Sequence, residues 1–304
     1  MIPLCSRLLI KFGLTKKQMG EKSILKKLGQ GTFSLTFLWY LKKKVYVLKC
    51  PLKKRGPFYK KWFFHTQQEI LFLKKYAPKQ NKITLPKIEE YSDTFILQQK
   101  VEGIPLTKRV YDVLSEKEQE VIAYQLADFF IKLHKKVNFK KVIKNTKKNS
   151  FSKYNQLLDE DEKETLKKYK YLLKKNPLSE TFPCLCITDL KAEHILYNKK
   201  NKKLGLVDFG SFHFSLPEDE FILKNPIRSH LSMKMLKNTI EAYNLKKGYP
   251  AISLKRIKAY LILFSVQEVY DCYKKGKITQ SEKKRVKCIL FDFFKEIERI
   301  FSYS

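Results

Sequence analysis

Three short apolar runs stand at the start of the patterned part of the chain: Ile24 to Leu28, the β-forming stretch Ser34 to Leu41, and Val45 to Lys49. They are separated by Gly29-Gln30-Gly31 and by the lysines 42–44, so they predict a strand–turn–strand–turn–strand meander. From Lys61 to Tyr76 the period becomes helical, with Phe64, Ile70, Leu71 and Leu73 on one stripe and Pro78 closing it. Further strands are expected at Leu85–Tyr91 and Thr94–Gln99, followed by Val101-Glu102-Gly103 and Pro105. Residues 20–99 therefore read as a small β-rich lobe with one helix, and 100–105 as a linker.

Beyond the linker, residues 106–304 read as a larger, mainly helical lobe. Ser115-Glu116-Lys117-Glu118 is a capping box, in which the serine oxygen and the glutamate each satisfy a free backbone donor. It opens a helix to about Lys136 whose buried face is Ile122, Leu126, Phe129, Phe130 and Leu133. The polar, lysine-rich stretch 137–182 reads as an insertion or cap with one helix near 160–175. Short strands are expected at Cys184–Ile187, Ile195–Tyr197 and Leu204–Val207, the last two joined by a polar turn at 198–203. Helical stripes follow, Ile257, Leu261 and Phe264 on one and Val286, Ile289, Leu290, Phe293, Ile297 and Ile300 on another. The fold class is α+β.

Composition changes this picture little. The 304 residues are 43% hydrophobic, enough to bury a core in two lobes sharing one cleft. The six cysteines (Cys5, Cys50, Cys184, Cys186, Cys272, Cys288) lack paired zinc spacing, and Cys184 and Cys186 are too close for a C-x-x-C pair, so they read as reduced cytosolic thiols. The opening MIPLCSRLLIKFG has an apolar patch broken by Arg7 and Lys11, and no later uncharged stretch is long enough to span a bilayer, which points to a cytoplasmic protein. A net charge of +33 invites a nucleic-acid reading. The basic residues are mostly lysines spread along the chain, as at 42–44, 140–141, 147–148 and 283–284, which favours a solvated surface over a nucleic-acid-binding arm.

Two constellations carry chemistry. Gly29-x-Gly31 between strands is explained equally by a hairpin turn or by a loop lying over phosphates, with Ser34 where a third glycine is usual. Lys49 follows twenty residues after Gly29, and Glu69 twenty residues later on the expected helix. Each alone reads as a snorkelling or solvated side chain; their order is the one in which kinases place a phosphate-binding lysine and the glutamate that holds it. The second constellation is Ile187-Thr188-Asp189-Leu190-Lys191-Ala192-Glu193-His194-Ile195-Leu196, with Val207-Asp208-Phe209-Gly210 following nineteen residues after Asp189. Two aspartates on loops beside apolar strands suit phosphoryl transfer, which needs a carboxylate to orient the attacking hydroxyl and metal ligands to neutralise phosphate charge.

Asp189-Leu190-Lys191 and Asp208-Phe209-Gly210 resemble the catalytic loop and metal-binding motif of eukaryotic-type protein kinases. Asp189 followed by His194-Ile195-Leu196, Val101-Glu102-Gly103-Ile104-Pro105-Leu106, and Leu133-His134 are similar to the aminoglycoside phosphotransferase group of small-molecule kinases. The resemblance covers about residues 24–220 and implies a protein-kinase-like two-lobe fold. It implies that Gly29, Gly31 and Ser34 lie over ATP and Lys49 binds its phosphates with Glu69 behind it. Backbone groups from Gln99 to Val101 would meet adenine, Asp189 would be the catalytic base with Lys191 beside the transferred phosphate, and His194 and Asp208 would hold Mg²⁺ or Mn²⁺. Ile187 and Thr188 depart from the usual residues before the catalytic aspartate, and Asp219 resembles the acidic residue that follows the metal motif in small-molecule kinases. The implied function is transfer of the ATP γ-phosphate to a small-molecule hydroxyl, and the basic surface favours a neutral or anionic acceptor. A protein or envelope-saccharide kinase and a nucleotide-binding pseudokinase are the alternatives. Neither the acceptor nor the oligomeric state follows from the sequence.

Overall fold

The computed structural model describes residues 23–31, 33–41, 44–52, 55–79, 82–135, 184–187, 189–215, 217–221, 231–246, 252–255, 257–259, 261–262, 292 and 295–301. The insertion expected at 137–182, with its acidic run 159–162, lies outside them, as do Thr188 and most of the last helical stripe. The chain divides into two compact units: the first within residues 1–77, 84–103 and 205–211, the second within 78–83, 104–204 and 212–304.

In the first unit the predicted meander forms. Strands β1 (Ser23–Gln30), β2 (Ser34–Leu41), β3 (Lys44–Pro51), β4 (Ile88–Ser92) and β5 (Phe95–Gln99) make an antiparallel sheet in the order β1-β2-β3-β5-β4. Alternation puts Phe37, Trp39, Leu48, Cys50, Phe95 and Leu97 on one face as a core, with Leu25, Leu35, Leu41 and Tyr46 packed against it. The register pairs Lys49 with Ile96 and Val47 with Gln98, which places these four residues on the opposite face. Gly29 does not sit in a turn, as its sequence context suggests. It continues β1 opposite Thr36, beside a register irregularity after Lys27. The helix α1 (Pro57–Leu71) begins earlier than the hydrophobic stripe implied, because proline at its first turn needs no N–H partner and Gly56 (φ 85°) makes the entry. Its last turn widens into a π-helical segment, Phe72–Tyr76. The buried residues of α1 are Trp62, Thr66, Glu69 and Ile70, whereas Phe64, expected inside, is 60% exposed.

The second unit is built on α3 (Glu116–Lys135), preceded by β6 (Ile104–Pro105) and the short α2 (Lys108–Asp112). The capping box forms: Glu118 N–H donates to Ser115 Oγ at 3.4 Å and Ser115 N–H to Glu118 Oε2 at 3.2 Å. All five residues of the expected stripe are buried, and α3 packs on α4 (Met233–Leu245). Phe221 lies 5.5 Å from Phe130 and 5.8 Å from Tyr243 between ring centroids, closing this core. Strand β7 (Cys184–Ile187) pairs antiparallel with β10 (Phe212–Ser215), and β8 (Ile195–Asn198) pairs with β6. The strand β9 (Lys203–Leu206) follows β8 after the polar turn. Buried Gln125 of α3 holds that connection, its amide donating to Lys202 O at 2.9 Å and accepting from Leu204 N–H at 3.0 Å. His134, the last buried residue of α3, faces the Tyr243 hydroxyl at 2.9 Å and the Glu220 carboxylate at 3.6 Å. Burial pushes its pKa down to about 3, so the imidazole is neutral and its approach to Glu220 is no ion pair.

The first unit makes one demand on a single residue. A Cβ on Gly205 would stand 2.1 Å from Val101 Cγ1, and a β-branched neighbour cannot swing aside. Gly205→Ala is expected to cost about 1–3 kcal/mol, the range for overpacking, and far less in a Val101→Ala background. Urea unfolding of the four-member cycle checks this; an equal loss in both backgrounds would refute the close approach.

Candidate active site

The residues singled out by the sequence fall into two sets, one in each unit. In the first, Lys49 on β3 reaches α1, where its Nζ donates to both carboxylate oxygens of Glu69 at 2.9 Å. The pair is largely out of water, with side-chain exposures of 17% for Lys49 and 5% for Glu69. Burial opposes the ammonium charge, but attraction by Glu69 and then by Asp208 outweighs it and raises the Lys49 pKa. The glycine loop is anchored by Gly31 N–H donating to Ser34 O at 2.9 Å, and an added Cβ on Gly31 would press on Ser34 Oγ at 3.2 Å.

Asp208 has φ 68°, the left-handed region that a non-glycine residue seldom occupies. Its two neighbours explain how it stays there. The Phe209 ring is buried and stacks on Phe72 at 4.5 Å with planes 7° apart, and His65 Nδ1–H donates to Gly210 O at 2.9 Å. Gly210 has no room for a side chain, since a Cβ would meet His65 O at 3.1 Å. With both flanking residues fixed, the Asp208 side chain is exposed and close enough to Lys49 to add to its stabilisation. His65 also stacks on Phe33 of the glycine loop at 5.4 Å. One face of α1 and its continuation, residues 65, 69 and 72, thus carries contacts to the loop, the lysine and the metal motif.

The stretch expected to meet adenine is partly engaged already. Gln99 N–H donates to Lys87 O at 2.8 Å and Lys100 N–H to Val45 O at 3.2 Å, so both of these backbone donors are engaged within the fold. Gln98, which the sequence did not single out, is 2% exposed on the Lys49 face, and its amide nitrogen has no hydrogen-bond partner among the described residues. A buried amide donor of this kind is costly unless something accepts from it.

In the second unit, Asp189, Lys191 and His194 stand on the loop between β7 and β8. Lys191 Nζ lies 3.0 Å from Asp189 Oδ2 in a half-exposed pair. His194 closes a short 3₁₀ turn and is nearly buried; its Nδ1–H donates to Asp189 O at 2.8 Å. Because a carbonyl oxygen can only accept, that bond places a proton on Nδ1 and fixes the orientation of the ring. The frame behind the loop comes from Glu220, which the sequence did not single out, its buried Oε2 accepting from Ile187 N–H at 2.9 Å. The Asp219 side chain lies outside the described residues.

A model of the phosphotransferase enzyme family matches residues 83–253 of this chain. The fold is that of solved aminoglycoside phosphotransferases, which are protein-kinase-like. One is APH(2")-IIa in a ternary complex with streptomycin and ATP (21% identity, 99% of each chain covered, TM-score 0.61). Another is the GDP complex of aminoglycoside 2'-phosphotransferase-IIIa (16% identity, 98% of this chain and 99% of that one, TM-score 0.67). A third is ADP-bound APH(2'')-Ib (21% identity, 99% of each chain, TM-score 0.59).

The Lys49–Glu69 pair sets a pH-dependent expectation. In Glu69→Gln the buried ammonium loses its counter-charge, so desolvation should pull its pKa below the unfolded value. The folded state then disfavours the proton, and the loss of stability, about 3 kcal/mol at neutral pH, should shrink as pH rises toward the unfolded lysine value of about 10.4. Denaturation midpoints from pH 7 to 10 test this; a loss that does not diminish would show that Glu69 supports the fold by packing instead.

Proposed function

The chain belongs to the phosphotransferase enzyme family, and from that premise we propose that it transfers the γ-phosphate of ATP to a hydroxyl group of a small-molecule acceptor, with Mg²⁺ as the accompanying ion. The observation that carries the reading is Lys49 held by both oxygens of Glu69 with Asp208 adding to its charge, an arrangement that aims an ammonium at phosphate oxygens. The nucleotide complexes of structurally similar proteins, with ATP, ADP and GDP, support a nucleoside triphosphate as donor. On this reading Gly29, Gly31 and Ser34 border the phosphates, Val101 offers its N–H to the purine, and Gln98 adds an amide on the lysine's side of the sheet.

Asp189 would orient the acceptor hydroxyl and take its proton, and Lys191 beside it would meet the transferred phosphoryl group. The exposed carboxylate of Asp208 fits a hard divalent ion, and Nε2 of His194 is a softer second ligand that Mn²⁺ tolerates better than Mg²⁺. When bound, the ion neutralises charge between the β- and γ-phosphates. A +33 chain should repel polycations, so a neutral or anionic acceptor is proposed, even though solved relatives in fold carry gentamicin, streptomycin or kanamycin.

Asp189→Asn is expected to lower turnover by about 10²–10⁴ while nucleotide still binds, as measured by steady-state rates and by thermal shift with ATP and Mg²⁺. Metal-dependent ATP binding without turnover across an acceptor panel would identify a pseudokinase. Efficient phosphorylation of an aminoglycoside at low salt would overturn the acceptor proposal. His194→Asn tests the second ligand: it should keep substantial activity and lose any preference for Mn²⁺ over Mg²⁺, because an amide oxygen is the harder ligand. An unchanged metal preference in the active variant would reduce His194 to its hydrogen bond with Asp189.

A further inference from the structure

Cys184 and Cys186 look unsuited to metal binding in sequence, yet a strand turns residues two apart to the same face. In β7 their sulfurs stand 3.5 Å apart, both fully buried. The end of α3, fifty residues earlier, brings His134 beside them, so that one imidazole nitrogen and the two sulfurs lie within 4.8 Å of one another. Two sulfurs bound to one zinc ion at 2.3 Å subtend a tetrahedral edge of about 3.7 Å, close to the observed separation. The Glu220 carboxylate approaches the imidazole of this trio, its Oε2 3.6 Å from His134 Nε2.

We propose that Cys184, Cys186 and His134 form a structural binding site for one zinc ion in the second unit, with the Glu220 carboxylate next to the imidazole turning in as the fourth ligand when the ion binds. The surroundings are those such a site uses. The Tyr243 hydroxyl at 2.9 Å from His134 Nδ1 leaves Nε2 as the ligand nitrogen, the orienting contact that metal-bound imidazoles have. Glu220 Oε2 is oriented by Ile187 N–H at 2.9 Å. Phe130 stacks on the His134 ring at 6.3 Å and Tyr243 meets it edge-on at 5.6 Å, walling the site from water. Binding releases the two thiol protons, and the ion crosslinks α3, β7 and the turn Pro217–Glu220. Two thiolates select zinc over the hard Mg²⁺ of phosphoryl transfer. The site is enclosed, so the ion enters as the chain folds.

The test is production of the full chain in zinc-depleted medium supplemented with Co²⁺, followed by metal analysis and absorption spectroscopy. One cobalt per chain is expected, with thiolate-to-cobalt charge transfer and the intense visible bands of tetrahedral coordination. Cys50→Ser should keep both signals, while Cys184→Ser and Cys186→Ser should each weaken the charge-transfer band by about half, one thiolate remaining in each. A wild-type chain that folds with no stoichiometric metal, or carries only the weak bands of an octahedral ion, overturns the proposal whether or not the serine variants fold. So does a charge-transfer band that survives in a folded Cys184→Ala/Cys186→Ala double variant.

Discussion

The ion pair between Lys49 and Glu69 is the interaction on which the first unit depends, because neither charge could stay where it is without the other. A buried ammonium or carboxylate left alone costs several kcal/mol, while a well-made pair roughly offsets its own desolvation. The pair therefore adds little net stability but fixes position: β3 and α1 can meet only in the register that brings Nζ between the two carboxylate oxygens. Everything else on α1 follows from that register. Once Glu69 is set, His65 four residues before it and Phe72 three residues after it face the same way, and the Asp208-Phe209-Gly210 motif is gripped at its phenylalanine and its glycine.

The second unit solves a different problem, that of holding the loop between β7 and β8, which carries Asp189, Lys191 and His194. Ile187 is apolar and offers only its backbone, and Glu220 takes that backbone N–H in a buried hydrogen bond. His194 braces the loop from the other side through the Asp189 carbonyl. The bracing thus runs through main-chain groups, which leaves the Asp189 and Lys191 side chains half-exposed and paired with each other across 3.0 Å. A pair so open to solvent is worth about 0–1 kcal/mol and opposes rearrangement only weakly.

Element types were legible wherever one face of an element is buried. The α3 stripe and the capping box at Ser115 stand as their patterns indicate, because burial on one side imposes a period that the sequence must display, while the strand at Cys184–Ile187, buried at every position, shows as an unbroken apolar run. The pattern misled at α1, where Phe64 is exposed and the buried face includes Thr66 and Glu69. That helix is chosen by an ion pair and a motif contact as much as by hydrophobicity, and polar partners leave no periodic trace. Asp189, Lys49 and Asp208 could be singled out because spacing between motifs survives in sequence. His65, Gln98 and Glu220 could not, since their meaning comes from neighbours up to 145 residues away. The same holds for His134 beside Cys184 and Cys186, a cluster that exists only once α3 and β7 have met.

The conformation of Asp208 shows how narrowly such a site is balanced. A non-glycine residue in the left-handed region costs on the order of 1–3 kcal/mol, and aspartate lies at the lower end because it tolerates that region better than most. Against this stand one offset ring stack, worth about 0.5–1.5 kcal/mol beyond area burial, and one hydrogen bond to a backbone carbonyl, worth about 0.5–1.5 kcal/mol. The two sums are of the same size. The conformation of Asp208 is therefore held by contacts that nearly match its strain, and both come from α1 and its π-helical continuation. A displacement of that element would release the motif and separate Lys49 from Glu69 together, without any change in the residues themselves.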